Sequence, residues 1–214
     1  MNDATPRQLE FGGLLIEFDD RVIVPREWTV AQSSWAEELL QQSPPGAVLE
    51  LCAGVGHIGL AAVAGTARDL VLVDLDPTAC GYARRNARRA RPDRDTDVRQ
   101  GRVDEVLAAD ERFVGVIADP PWVPSDDVGR FPDDPRTAID GGVDGMDIAW
   151  SCVDVAARHL GAPGWLLIQL GTTAQAEAVR SRLLDAPGQA LQVVEVREHG
   201  ERGVLVLVAR GGGA

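Results

Sequence analysis

Glu50-Leu51-Cys52-Ala53-Gly54-Val55-Gly56-His57-Ile58-Gly59 follows the apolar run Ala47–Leu51 and leads into a helical stretch over His57–Ala64. Glycines at such a junction let the backbone turn tightly and approach a ligand, and the helix that follows opens with N–H groups lacking intrahelical partners. Gly54-x-Gly56-x-x-Gly59 has the spacing of a dinucleotide-binding turn. Twenty residues beyond Gly54, the second apolar run Leu70–Asp74 ends in an acid suited to ribose hydroxyls. Further short apolar runs at Phe113–Ala118 and Trp165–Leu170 read as buried parallel strands. Helical stretches intervene: Pro77–Ala90 begins with proline in its first turn. From Met146 onward, Ala149, Trp150, Val153, Ala157 and Leu160 recur at helical spacing. This alternation predicts an α/β fold with a Rossmann-like, mostly parallel sheet and helices on both faces.

The ends read differently. Leu191–Arg197 and Gly203–Ala209 form a predicted antiparallel hairpin closing the sheet, with its turn over Glu198–Arg202. Leu14–Glu17 and Arg21–Val24, joined at Asp19-Asp20, suggest a smaller hairpin, followed by a helix over Val30–Gln41. Three units are therefore expected: a hairpin and helix over residues 1–45 covering the active site, a core over 46–210, and a disordered tail at 211–214. The segment Asp119–Gly145 lacks periodicity, and a loop that long within a compact domain points to function or mobility.

Composition removes several classes. The 214 residues carry 33 acids and 21 bases, a net charge of −12, which weighs against a free nucleic-acid binder. The basic cluster Arg84, Arg85, Arg88, Arg89 and Arg91 fits a solvated helix face. No apolar run is long enough for a membrane span, and Met1–Glu10 lacks the pattern of a secretory signal. Cys52, Cys80 and Cys152 are too few and too scattered for a disulfide framework, so reduced thiols in a cytoplasm are expected. His57, His159 and His199 are not paired at ligand spacing, so no metal is expected.

Two sets of residues carry the chemistry. Glu50, beside the glycine turn, would repel a pyrophosphate but suits the cationic amino group of S-adenosylmethionine (S-adenosyl-L-methionine), so that cofactor is favoured over a nicotinamide dinucleotide. Glu50, Gly54, Gly56 and Asp74 are then the cofactor-binding candidates. Asp119-Pro120-Pro121-Trp122 follows the run Phe113–Ala118, at the carboxyl edge where open α/β sheets bind ligands. Asp119 and the Pro120 carbonyl can each accept one N–H of a planar amino group while the Trp122 indole stacks on it. That clamp turns the nitrogen lone pair toward an incoming methyl group. Cys52 reads first as a small buried residue. Trp28 and Trp35 either line the substrate cleft or anchor the N-terminal helix.

The chain resembles class I S-adenosylmethionine-dependent methyltransferases, and among them the HemK/PrmC-type protein-glutamine N5-methyltransferases, whose hallmark is Asn-Pro-Pro-Tyr at this position. The resemblance runs from Val22 to Ala209. It includes Val22-Ile23-Val24-Pro25-Arg26 with Thr29, Leu49–Gly56, Val71–Asp74 with Ala83-Arg84-Arg85-Asn86-Ala87, Ala138–Gly145, Trp165–Gly171 and Gly200–Gly203. It implies that Cys52, Ala53, Leu75, Arg102, Val103 and Asp119 also touch the cofactor, and that Asp119, Pro120, Pro121 and Trp122 form the catalytic loop. Asp119 and Trp122 replace the family's Asn and Tyr, giving a tetrapeptide also found in adenine-N6 methyltransferases. Arg102 stands where many members carry an acid near the adenine, and Cys52 where the first loop glycine usually is. The bacterial family's N-terminal helical substrate domain does not fit before Phe11, so the short, stand-alone members are the nearer match in outline. Their Pro-Pro-Tyr-Val-Pro is similar to Pro120–Pro124. The implied acceptor is a protein glutamine of the release-factor type. A small molecule or modified peptide is the alternative, adenine in nucleic acid is disfavoured by charge, and both a monomer and a heterodimer with an activator stay open.

Overall fold

The computed structural model describes residues 5–185 and 191–210. Strands β1 (Arg7–Phe11) and β2 (Leu14–Phe18) form an antiparallel hairpin, followed by helix α1 (Val30–Gln42). The core then runs through β3 (Val48–Leu51), α2 (His57–Ala62), β4 (Leu70–Asp74), α3 (Pro77–Ala90), β5 (Asp97–Gln100) and β6 (Phe113–Ala118). It ends with α4 (Arg136–Ile139), α5 (Asp147–His159), β7 (Leu160–Leu170), α6 (Thr173–Leu184), β8 (Leu191–Glu198) and β9 (Val204–Arg210). One seven-stranded sheet has the order β5-β4-β3-β6-β7-β9-β8, in which β9 pairs antiparallel with both β7 and β8. The remaining pairings are parallel. The fold is the expected Rossmann-like α/β sheet with an antiparallel C-terminal hairpin. The tail at 211–214 lies outside the described residues.

Alternation along β3 builds two cores. Val48 joins the apolar layer under α1, α2 and α3, with Leu72, Ile117 and Leu167. Leu49 and Leu51 point to the opposite layer, against Val153 of α5 and Val179 of α6. Strands buried on both faces need continuous apolar runs, which is why Val48–Leu51, Leu70–Asp74 and Phe113–Ala118 are readable as sequence. Helix α3 starts where its Pro and its cap direct: Asp76 accepts a 2.7 Å bond from the Thr78 N–H, with Pro77 next to it.

The N-terminal hairpin departs from expectation. Its strands are β1 and β2, not Leu14–Glu17 with Arg21–Val24, because the turn is made by Gly12 and Gly13 at φ 55° and 79°. Two consecutive left-handed residues are what a two-residue hairpin turn requires, and glycine supplies them without strain. Asp19 is engaged elsewhere. Its carboxylate accepts from the Arg21 guanidinium and from the Tyr82 hydroxyl at 2.6 Å, which curls the chain there and draws it onto α3. The Arg21 pair holds the Asp19 carboxyl down to about 2. Strand β5 and helix α6 had no clear signal: β5 reads Asp-Val-Arg-Gln at a sheet edge, and α6 buries only a narrow stripe.

Asn86 of α3 ties the hairpin to the core. Its Oδ1 accepts from the Glu17 N–H at 2.8 Å, and its Nδ2 donates to the carbonyls of Glu17 and Val55, each at 3.0 Å. The side chain is buried, so truncation strands a backbone donor and two acceptors. Asn86→Ala is expected to lower unfolding free energy by about 2–4 kcal/mol, read from urea midpoints at constant slope.

Candidate functional site

The carboxyl ends of β3, β4, β5 and β6 open into one cleft of about 760 Å³. The chain leaves each strand there into a lining loop: Cys52–Gly54, Asp74–Pro77, Gly101–Asp104 and Asp119–Val123. Parallel pairing makes this convergence unavoidable, since all these strands end on the same side. The segment Val22–Thr29 and the stretch Phe131–Ile139 contribute the opposite wall.

Asp74 organises the first loops. Its Oδ2 accepts from the Gly54 N–H at 2.6 Å and its Oδ1 from the Asp76 N–H at 2.9 Å, while its own carbonyl receives the Gly101 N–H. Burial raises its pKa. The carboxylate thus faces the cleft with both oxygens already oriented and with lone pairs left for a ligand hydroxyl. Leu75, 62% exposed, and Val103 give an apolar wall beside it. Arg102 also lines the cleft, but its guanidinium pairs with Asp104 at 3.2 Å and Glu105 at 3.1 Å. Cys52 sits at φ 55°, a left-handed conformation that glycine adopts more readily.

Glu50 is placed elsewhere than the sequence suggested. It is buried beneath the loop and absent from the cleft wall, with Oε2 accepting the Gly59 N–H at 3.0 Å. A Cβ on residue 59 would collide with that carboxylate, so the third glycine of the motif serves this contact. Burial pushes the Glu50 pKa well up, with Asp119 and Asp74 adding to it. Glu50 therefore braces the glycine turn from behind. The two tryptophans also separate: Trp35 is a core residue, with the Arg197 guanidinium 3.7 Å from its ring centre. Trp28 lines the cleft, with the guanidiniums of Arg26 and Arg202 5.6 Å and 5.9 Å from its ring centre.

Asp119, Pro120, Pro121 and Trp122 all border the cleft, between the glycine loop and the Trp28 wall. No hydrogen bond reaches the Asp119 carboxyl among the described residues, and burial alone lifts its pKa to about 7. The loop is held by the segment after α4: Val123 and Asp140 form a parallel bridge, and Gly141 N–H bonds the Val123 carbonyl. The unpatterned stretch 119–145 is thus an ordered wall containing a 3₁₀ turn at Val128–Arg130 and α4. Sequence reasoning gave no role to His57, whose Nε2 lies 3.4 Å from the Thr29 hydroxyl, or to the half-exposed Phe131. Burial drops the His57 pKa to about 3, so it is neutral. No group of three or more metal-ligating side chains occurs among the described residues, and no helix there is long and apolar enough to cross a membrane.

The arrangement fits an adenosyl sulfonium cofactor. It offers an oriented carboxylate, an apolar shelf and a backbone loop on one side, and a rigid polar clamp on the other. Comparisons agree on the fold. The model of the family described as conserved hypothetical protein 95 matches residues 33–129. The release factor glutamine methyltransferase of Geobacter sulfurreducens is 34% identical over 79% of this chain and 60% of its own length. The ribosomal protein uL3 glutamine methyltransferase of Francisella tularensis is 27% identical over 76% of this chain and 54% of its own. The chain thus spans under two thirds of these relatives. The crystal structure of M. jannaschii TYW2 in complex with AdoMet superposes with a TM-score of 0.64 at 14% identity, covering 98% of this chain and 87% of that one.

A carboxyl whose folded pKa is raised costs stability above its unfolded pKa, and the cost grows until pH passes the folded value. For Asp119 that window runs from about 4 to about 7. Asp119→Asn should therefore melt higher than the parent, by a margin that widens from pH 4 to pH 7 and then levels off, followed by thermal melts across that range.

Proposed function

We propose that this chain, a homologue of the release-factor and uL3 glutamine methyltransferases, is an S-adenosylmethionine-dependent N-methyltransferase acting on a glutamine side chain of a cytoplasmic protein. The observation that carries the reading is Asp119-Pro120-Pro121-Trp122 at the end of β6, sharing one cleft with Cys52–Gly54 and Asp74. S-adenosylmethionine supplies an electrophilic methyl group when bound. Asp74 would hold the ribose, Leu75 and Val103 the adenine, and the Cys52–Gly54 backbone the amino-acid end. Arg102, paired to its own neighbours, would cover the adenine edge with its aliphatic stem.

On the acceptor side, the Pro120 carbonyl and the Asp119 carboxyl would fix the two hydrogens of a planar NH2 group. Trp122 would cover the acceptor's face. Holding the nitrogen in line with the methyl group is the main source of rate, since alignment of two bound reactants supplies about 7–11 kcal/mol. The nitrogen sheds a proton as it gains the methyl group. Asp119 is the nearest candidate carboxyl, and a pKa of about 7 makes it a better proton acceptor than an ordinary aspartate. Burial thus converts a substitution that looks like a loss of donor capacity into a gain of basicity.

Calorimetry should show binding of S-adenosylmethionine and none of NAD; the reverse would sink the cofactor assignment. Tritiated S-adenosylmethionine added to a lysate should label protein, with small molecules and nucleic acid as the losing fractions. Asp119→Ala should cut kcat by about 10²–10⁴-fold with cofactor affinity nearly intact. In the parent, kcat should rise with pH and level off above about 7, and that rise should vanish in Asp119→Asn.

A further inference from the structure

Gln175, at the start of α6, is distant from Trp122 in sequence and bonds both the Trp122 carbonyl and the glycine under its ring. Its N–H sits on the Thr172 hydroxyl at the helix cap, which turns the side chain inward, and the carboxamide is buried. Nε2 donates to the Trp122 carbonyl at 3.1 Å and to the Asp144 carbonyl at 3.3 Å, with the Gly145 carbonyl at 3.5 Å. Oε1 accepts the Gly171 N–H at 2.9 Å. Gly171 is the surface on which Trp122 lies: a Cβ there would collide with the six-membered ring of the indole. One amide therefore fixes the peptide that carries Trp122 and the backbone that supports its ring. It also ties the Gly141–Gly145 loop to the end of β7.

We propose that Gln175 is the positioning residue that sets the plane of Trp122 and thereby the acceptor side of the cleft. The role rests on the methyl-transfer reading, because Gln175 does not line the cleft and acts only through the clamp. A carboxamide is required at this position. Its two hydrogens meet carbonyls and its oxygen meets an N–H, a pattern that neither Glu nor Met can reproduce. Misplacing a reacting group by about 1 Å costs up to about 10²-fold in rate, so loss of this support should appear in turnover.

Gln175→Met keeps length and removes every bond. In protein labelled with 5-fluorotryptophan, the five tryptophans give separate fluorine resonances, and Trp122→Phe identifies that of Trp122. Gln175→Met should shift the Trp122 resonance and leave Trp28, Trp35 and Trp165 in place, with S-adenosylmethionine affinity changed less than about two-fold by calorimetry. With purified release factor as acceptor, kcat should fall about 10–100-fold. The same substitution should then cost little in a Trp122→Ala background. An unmoved Trp122 resonance, or losses that simply add, would overturn the assignment. Gly171→Ala reaches the same ring from its other support and should give the same signature, which keeps the test open if Gln175→Met does not fold. If the parent transfers nothing to release factor, the acceptor reading fails, and the resonance alone decides the role of Gln175.

Discussion

Strand β3 is buried on both faces and runs in the same direction as β4 and β6 on either side. From that pairing the rest follows. Three chain exits meet at one sheet edge, and each must turn away within a few residues of the others. The exit of β3 turns through left-handed Cys52, Gly54 and Gly56, and a buried carboxylate from the strand itself holds the helix that follows at Gly59. The exit of β4 supplies Asp74, which bonds the turn from the front. Glu50 and Asp74 thus grip one loop from opposite sides, and both are raised in pKa by the burial that this requires.

Those contacts explain what could be read in advance and what could not. Continuous apolar runs ending in acid carry their own signature, and Leu70–Asp74 lies where its pattern put it. The motif glycines were also legible as a turn. Glu50 was legible only as an acid near a ligand, because sequence spacing does not tell which face of the strand its side chain leaves from. Alternation settles that: Glu50 shares a face with Val48, beneath α2 and the loop. Strand β5 escaped notice since an edge strand needs few apolar residues, and β1 since most of it is exposed. The misread hairpin has a local cause, in that Asp19-Asp20 looks like a turn pair while Gly12-Gly13 has the φ angles for one.

The tetrapeptide after β6 shows how context edits a motif. Aspartate in place of asparagine reads, on paper, as an added charge. With no hydrogen-bond partner for that carboxyl among the described residues, desolvation instead partly suppresses the charge near neutrality. Tryptophan in place of tyrosine loses a hydroxyl and gains area, and that area rests on Gly171, while Gln175 bonds both the Trp122 carbonyl and the Gly171 N–H. The Asp119–Trp122 loop is thus held by residues far from it in sequence, which no local pattern reveals.

The two halves of the cleft are closed by different kinds of bond. Around Asp74 the walls are joined by backbone N–H groups, which salt hardly affects. On the opposite wall, Arg26 and Asp134 join its two segments in an ion pair at 2.5 Å, with the arginine one-third exposed and the aspartate largely buried. The exposed side of that pair is screened as ionic strength rises, though less than a fully exposed pair would be. Ionic strength therefore bears more on the cohesion of that wall than on the loops around Asp74, so one pocket has two sides of different salt sensitivity.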